Sequence, residues 1–231
     1  MRLDAFVSRF GRFSRSESRR IIRNNGVSLN GVLTNNPSEV VDETDTVVVD
    51  GRLLEAFGNV YIALNKPEGY VCSRERSEGR SVFELIDANF SADLSTGGRL
   101  DKDATGLLIL SNDGKFIHEV ISPRKLVEKE YLVETAKEIT KKEISMISQG
   151  LFIGNNEFSK PTHVEQIDHF HMRIVLTEGR YHEVKRLVSA SGNKVIQLHR
   201  RRIGSYCLSE ELRPGDWQLL SENDRKKITG T

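Results

Sequence analysis

A chain of 231 residues, 37% of them hydrophobic, with 34 Lys and Arg against 33 Asp and Glu, can hold one large domain or a small one joined to a medium one. No apolar run approaches the ~20 residues needed to cross a bilayer. The start Met1-Arg2-Leu3-Asp4 lacks the apolar stretch of a secretion signal, and two distant cysteines, Cys72 and Cys207, exclude a disulfide framework and fit a reducing cytoplasm. The net charge of +1 hides an uneven distribution, with seven arginines against Asp4 and Glu17 in residues 1–25. In that segment Leu3, Phe6, Val7 and Phe10 recur at helical spacing until Gly11 breaks the pattern. Ser14 predicts an N-cap with Glu17 as its capping-box partner, opening a helix that runs through Arg23 and stops at Asn24-Asn25-Gly26. Val27-Ser28-Leu29, the hairpin dipeptide Asn30-Gly31, Val32-Leu33 and Val47-Val48-Val49 predict a small β unit. Arg15, Arg19 and Arg23 recur every four residues, so they share one helix face that reaches several phosphates at once. As a bare solvated face the same arginines would repel one another.

Arg2-Leu3-Asp4, Ser14-Arg15, Ile21-Ile22 and Gly26-Val27-Ser28-Leu29-Asn30-Gly31 together resemble the S4 RNA-binding domain, which implies an RNA-binding module over residues 1–56. Asp50-Gly51-Arg52 to Gly58-Asn59 reads as a linker. A second domain, 59–231, opens on the apolar strand Val60 to Leu64 and turns at Asn65-Lys66-Pro67-Glu68-Gly69-Tyr70. Further strands are expected around Val71, Leu107 to Leu110, Tyr131-Leu132-Val133 and Met172 to Leu176. Helices are expected at Ser81 to Ile86, Lys115 to Ile121, Glu138 to Gln149 and His182 to Ser191, with a loose polar tail from Ser221 to Thr231. No regular βαβ repeat is visible, so the fold class is α+β rather than a doubly wound parallel sheet. A second basic cluster, Lys194 with His199-Arg200-Arg201-Arg202, lies near the C-terminal end, and two concentrated basic patches suit a polyanion.

The segment Gly98-Arg99-Leu100-Asp101-Lys102-Asp103-Ala104-Thr105-Gly106-Leu107-Leu108-Ile109-Leu110 places an acid in a glycine-flanked loop just ahead of a buried strand. A carboxylate there is costly unless paired or used, and Arg99, two residues earlier, can hold it ionised. The segment resembles the active-site motif of the RNA pseudouridine synthases of the Rsu type, with Asp101 matching the catalytic aspartate. Three more segments match in order: Leu64 to Tyr70, similar to the motif supporting the active-site floor; Glu128 to Val133, which holds the active-site tyrosine, here Tyr131; and Glu178 to Leu187, where Lys185 aligns with the basic partner of the aspartate. Many relatives carry arginine at that place, so either Lys185 or an arginine pairs with Asp101. The likeness covers about residues 1 to 220.

The resemblance implies a small S4-like module plus a larger catalytic domain built on a mixed, mainly antiparallel sheet. The implied activity is isomerisation of a uridine to pseudouridine in 16S ribosomal RNA, with Asp101, Tyr131 and Lys185 as the catalytic set. RNA contacts are expected from Arg2, Arg15, Arg19, Arg23, Arg99, Arg180, Arg200 and Arg201. The reaction needs no cofactor and no metal, since no atom is gained or lost. The expected partner is ribosomal RNA or a partly assembled small subunit, bound by a cytoplasmic monomer without a membrane. Three other readings compete: action on 23S RNA, a non-catalytic S4-type RNA-binding protein, and a nuclease using Asp101 and Asp103 as metal ligands. His169-Phe170-His171 reads as a hairpin-edge surface pair without a third ligand. Trp217 reads as a core plug.

Overall fold

A computed structural model describes residues 1–42, 44–154 and 156–230, with all their side chains except that of Arg76. The chain divides into two compact units, Met1–Gly58 and Asn59–Thr231.

The first unit contains α1 (Leu3–Gly11), α2 (Arg15–Arg23), β1 (Val27–Leu29), β2 (Val32–Thr34), β3 (Val47–Val49) and β4 (Arg52–Leu54), with strand order β2-β1-β3-β4. The expected capping box is present: Ser14 Oγ accepts the Glu17 N–H and the Glu17 carboxylate accepts the Ser14 N–H. Helix α2 turns Ser18 and Ile22 inward and leaves Arg15, Arg19, Arg20 and Arg23 exposed. Leu3, Phe6 and Val7 of α1 pack with Ile22, Val27, Val47, Val49 and Leu54 into one core. Segment 50–59 departs from the linker reading. Asp50 and Gly51 have φ of 46° and 81°, the same left-handed pair that Asn30 and Gly31 adopt at 52° and 81°. Such turns match the twist of adjoining antiparallel strands, so Arg52–Leu54 pairs back on β3 as a fourth strand and buries Leu54.

The second unit is built on a nine-stranded sheet. Its elements in chain order are β5 (Tyr61–Lys66), β6 (Tyr70–Val71), β7 (Arg80–Ser81), β8 (Ser95–Thr96), β9 (Thr105–Ser111), α3 (Gly114–Ile121), β10 (Lys129–Thr135), α4 (Lys141–Gln149), β11 (Leu151–Phe152), β12 (Phe158–Ser159), β13 (His163–Gln166), β14 (His171–Leu176), α5 (Glu183–Ala190), β15 (Val195–Ile203), β16 (Tyr206–Cys207), β17 (Trp217–Leu219) and α6 (Glu222–Thr229). The main order is β13-β14-β10-β15-β9-β5-β17, with β16 on β15 and β8 on β9. Every pair in this sheet is antiparallel except β15 with β9. This is the mixed, mainly antiparallel α+β architecture expected. Strand β9 is buried from Gly106 to Ser111, as its unbroken apolar run requires. Ala63, Leu107 and Ile109 pack with Phe116 and Val120 of α3 and Ile228 of α6. Each such large aliphatic side chain contributes roughly 1.5–3 kcal/mol on burial.

Four expectations about this unit change. The helix read at Ser81 to Ile86 is a short 3₁₀ turn, Val82–Leu85, because Ile86 leaves the helical region. Helix α4 begins at Lys141, not Glu138, because Thr140 and Glu143 form its capping box. The polar tail is α6, capped by Ser221 and Asp224 and seated by the fully buried Ile228; Thr231 lies outside the described residues. Trp217 is half-buried on β17 and meets Phe90 edge-on rather than plugging the core.

Candidate active site

The loop carrying Asp101 leaves β8 and enters β9, and buried cations on the sheet hold it from below. Lys66, at the end of β5, is fully buried; its Nζ donates to Ala104 O at 2.6 Å, Pro67 O at 3.2 Å and Lys102 O at 3.4 Å. Burial pushes this ammonium below its usual range. Arg200, on β15, donates its Nε to Leu107 O at 2.8 Å and Nη1 to Arg99 O at 3.4 Å. The two strands beneath pair at Thr105 with His199 and at Gly106 with Arg200, and the second pair requires a glycine. A Cβ on Gly106, at φ +102°, would lie 2.4 Å from Arg200 O, so any side chain there would push β9 off β15. Leu100 N donates to Cys72 Sγ at 3.4 Å, which ties the loop to the residue that follows β6.

On this support the Asp101 carboxylate is gripped from α5. Lys185 Nζ lies 2.8 Å from Asp101 Oδ2 and 2.6 Å from Asp103 Oδ1. His182 Nε2 stands 3.3 Å from Asp101 Oδ1. The Asp101 side chain keeps 23% of its surface exposed, so it is fixed yet open to a ligand. Burial alone would lower the Lys185 pKa, but its bonds to the two carboxylates outweigh burial and raise it. The same ammonium holds Asp103 below the usual carboxylate range. Lysine, not arginine, is therefore the partner of Asp101. Arg99 turns elsewhere, 72% exposed and 3.9 Å from Glu78.

His182 has no role in the sequence reading, although its signal was there. It lies three residues before Lys185, so both project from one helical turn. It also sits at φ 49°, ψ 34°, in the left-handed region that few non-glycine residues adopt. Around it the turn is braced: Arg180 donates Nε to Glu178 at 2.5 Å and Nη1 to Phe158 O at 2.7 Å. Buried Glu183 accepts from Arg180 N at 3.0 Å and from Ser159 Oγ at 2.8 Å. Both side-chain hydrogen bonds of Arg180 lie within the protein.

Tyr131 is 8% exposed on β10, in register with Arg200 on β15 and Ile174 on β14. Arg200 itself is 2% exposed, which overturns its reading as a surface RNA contact. A central strand buries the residue that a run of basic letters makes look external. Arg202 is likewise taken up by Glu128 and Glu130 at 3.2 Å each, while Arg201 stays 45% exposed, 3.7 Å from Glu130. Lys129, also unremarked in the sequence, is 5% exposed with its Nζ on Val127 O, and its pKa is lowered to about 8, chiefly by burial and then by Arg200. In the first unit Arg15 and Arg23 are exposed, whereas Arg2 and Arg19 both bind the buried Asp4.

No group of three His, Cys, Asp or Glu side chains suited to a metal occurs among the described residues. Asp101 and Asp103 converge on the Lys185 ammonium, and His171 hydrogen-bonds Asp168 at 2.8 Å. A separate concavity lined by Tyr61, Phe116 and Arg225 contains none of the candidate residues.

Family models agree with this construction. That of RNA pseudouridylate synthase matches residues 60–190 and that of the S4 domain residues 1–47. The chain is 34% identical over 230 residues to ribosomal small subunit pseudouridine synthase A of Haemophilus influenzae, covering 99% of each. It is 36% identical over 226 residues to the protein of that name from Escherichia coli, covering 97% of this chain and 98% of that one. A crystal structure of a pseudouridylate synthase superposes with a TM-score of 0.71 at 33% identity, covering 99% of both chains. With its fold and nearly its whole length matched in this way, the chain belongs to the RNA pseudouridylate synthase family and carries an S4 domain at its N-terminus.

Proposed function

We propose that this protein converts a uridine of small-subunit (16S) ribosomal RNA to pseudouridine, with Asp101 as the catalytic group. The observation that carries the reading is the Asp101 carboxylate itself: partly open, held by Lys185 at 2.8 Å, and standing on a loop braced by buried Lys66 and Arg200. The reaction breaks the bond from C1′ to N1 and forms one from C1′ to C5 of the same uracil. The C5 proton leaves, and N1 gains one. The carboxylate acts on the sugar, as nucleophile at C1′ or base at C2′. Either role needs it immobile and aimed, which the Lys185 ammonium at 2.8 Å provides. Tyr131 is assigned to the uracil that Asp101 releases and recaptures.

The target must first be swung out of its stack, at a cost that phosphate contacts offset. The exposed Arg15 and Arg23 of α2 are assigned to those contacts, as are the outer edges of Arg2 and Arg19, with Arg201 and Arg99 serving in the catalytic unit. The S4 domain over residues 1–56 docks the RNA, and residues 59–231 perform the chemistry. The protein works as a monomer in the cytoplasm on naked ribosomal RNA or a partly assembled small subunit. No helix among the described residues is long and apolar enough to cross a membrane.

Asp101→Asn tests the reading. Small-subunit RNA labelled with tritium at uridine C5 is expected to release at least a thousandfold less tritium with the variant, at unchanged RNA affinity. Undiminished release would remove Asp101 from the mechanism. Wild-type turnover is expected to persist in EDTA while the RNA stays folded; cleavage of the RNA, abolished by EDTA, would instead mark a nuclease.

A further inference from the structure

Tyr181 stands out beside the site. At 76% exposure it is the most exposed large apolar side chain among the described residues. Phe152, at 68%, at least packs against a second phenylalanine, Phe158. The Tyr181 ring instead lies flat on the His182 imidazole, with centroids 3.8 Å apart and planes 20° from parallel. One face of the tyrosine is covered and the other is left to solvent. Neighbouring residues stack in this way because the chain turns through the left-handed region at His182, and a conformation of that kind persists only where its surroundings enforce it. They do so here: Arg186 donates Nη1 to Tyr181 O at 3.1 Å and Nε to Ile153 O at 2.7 Å, while Glu157 holds its Nη2 at 2.6 Å. The same imidazole reaches Asp101 at 3.3 Å. An open aromatic face therefore stands one ring away from the carboxylate assigned to the chemistry.

We propose that Tyr181 is a stacking platform for the nucleobase next to the target uridine. The inference rests on the functional reading above and adds to it a binding site for a second nucleotide. Extruding a uridine deprives its neighbour of a stacking partner, and an aromatic face replaces that partner whatever the base, since every base has a π-face. Because the ring already lies flat on the His182 imidazole, part of its ordering precedes binding. Its position fits an adjacent nucleotide better than a remote one, because only the imidazole separates it from Asp101.

The test uses the full chain and a small-subunit RNA fragment containing the mapped target uridine, with 2-aminopurine or an abasic residue at either neighbouring position. Binding to wild type and to Tyr181→Phe is expected to quench 2-aminopurine at one of the two positions, and Tyr181→Ala to lose that quenching. In tritium release, Tyr181→Ala is expected to raise KM about tenfold, more than it lowers kcat. The abasic RNA is expected to raise the wild-type KM by the same factor and to leave Tyr181→Ala no worse. Equal penalties for abasic RNA in both proteins, or a fall in kcat at constant KM in Tyr181→Ala, would overturn the platform and leave Tyr181 as a brace for His182. Quenching is expected to survive in Asp101→Asn, so failure of the catalytic assignment and failure of the platform give different results.

Discussion

Two carboxylates, one in each unit, are each gripped by two basic side chains but differ in how far they are buried. Asp4 of α1 is wholly buried; Arg2 Nε meets it at 3.1 Å and Arg19 Nε at 2.8 Å, while both arginines remain about half exposed. Its hydrogen bond to Arg2 leads the effects that lower its pKa to about 2. Asp101 has the same kind of grip from Lys185 and His182, but its own surface is open. In the small unit the acid is inside and the cations face water, so the pair orders a basic surface. In the large unit the acid is partly open, and the buried cations, Lys66 and Arg200, bond backbone carbonyls of its loop and of β9 rather than the carboxylate itself. Exposure of the acid, 0% for Asp4 against 23% for Asp101, is what separates the buried structural aspartate from the one proposed for the chemistry.

Removing the cation at the open site is the harshest test of that contrast. Lys185→Met leaves Asp101 and Asp103 without their common ammonium, and single-turnover tritium release is expected to fall at least a hundredfold, with Lys185→Arg recovering part of it. A rate near wild type would show that Asp101 works without its partner. At the closed site the expected loss is in stability. Asp4→Asn should destabilise the first unit by about 3 kcal/mol at pH 7, read from urea unfolding, with catalysis by folded protein little changed. The native pKa lies below the ordinary value, so this contribution is complete above about pH 4 and disappears as pH falls through about 2, where variant and wild type converge.

Lys129 sharpens the comparison as a buried cation bonded to a backbone carbonyl rather than to a carboxylate. Below about pH 8 it is charged inside the protein at a cost. Between there and its ordinary 10.5 the unfolded chain holds a proton that the native one lacks, so wild-type stability rises with pH. Lys129→Met is therefore expected to be more stable by about 2 kcal/mol at neutral pH, with the margin shrinking above pH 8. A margin independent of pH would contradict the assigned shift. The smallest effect belongs to the free arginines of α2. Arg15→Ala with Arg23→Ala should weaken RNA binding severalfold and reduce the slope of log affinity against log salt by about 2. An unchanged slope would leave α2 out of docking.

Local signals account for what could be read directly. Ser14 with Glu17 and Asn30 with Gly31 specify a helix start and a hairpin through bonds and dihedrals confined to a few residues, and both occur as expected. Asp50-Gly51 carries the same hairpin chemistry, yet its polar surroundings made it read as a linker. The run His199-Arg200-Arg201-Arg202 misled for a related reason. Basic letters suggest surface, whereas a strand in mid-sheet turns alternate residues inward, so Arg200 is buried with its guanidinium on backbone carbonyls while its neighbour Arg201 stays exposed. In α6 a single apolar residue, Ile228, does the anchoring, too little for periodicity to reveal.

By itself the sequence determined the two-part organisation, the α+β class and the family, and it singled out Asp101 as the proposed catalytic group, because these rest on patterns and motifs local in the chain. Only the tertiary structure decided that Lys185 rather than Arg99 holds Asp101, that His182 completes the grip, and that Lys66 and Arg200 lie beneath the loop. Those partners come from elements far apart in sequence, and which of many cations reaches a given carboxylate depends on strand register and burial, which no short stretch of residues encodes.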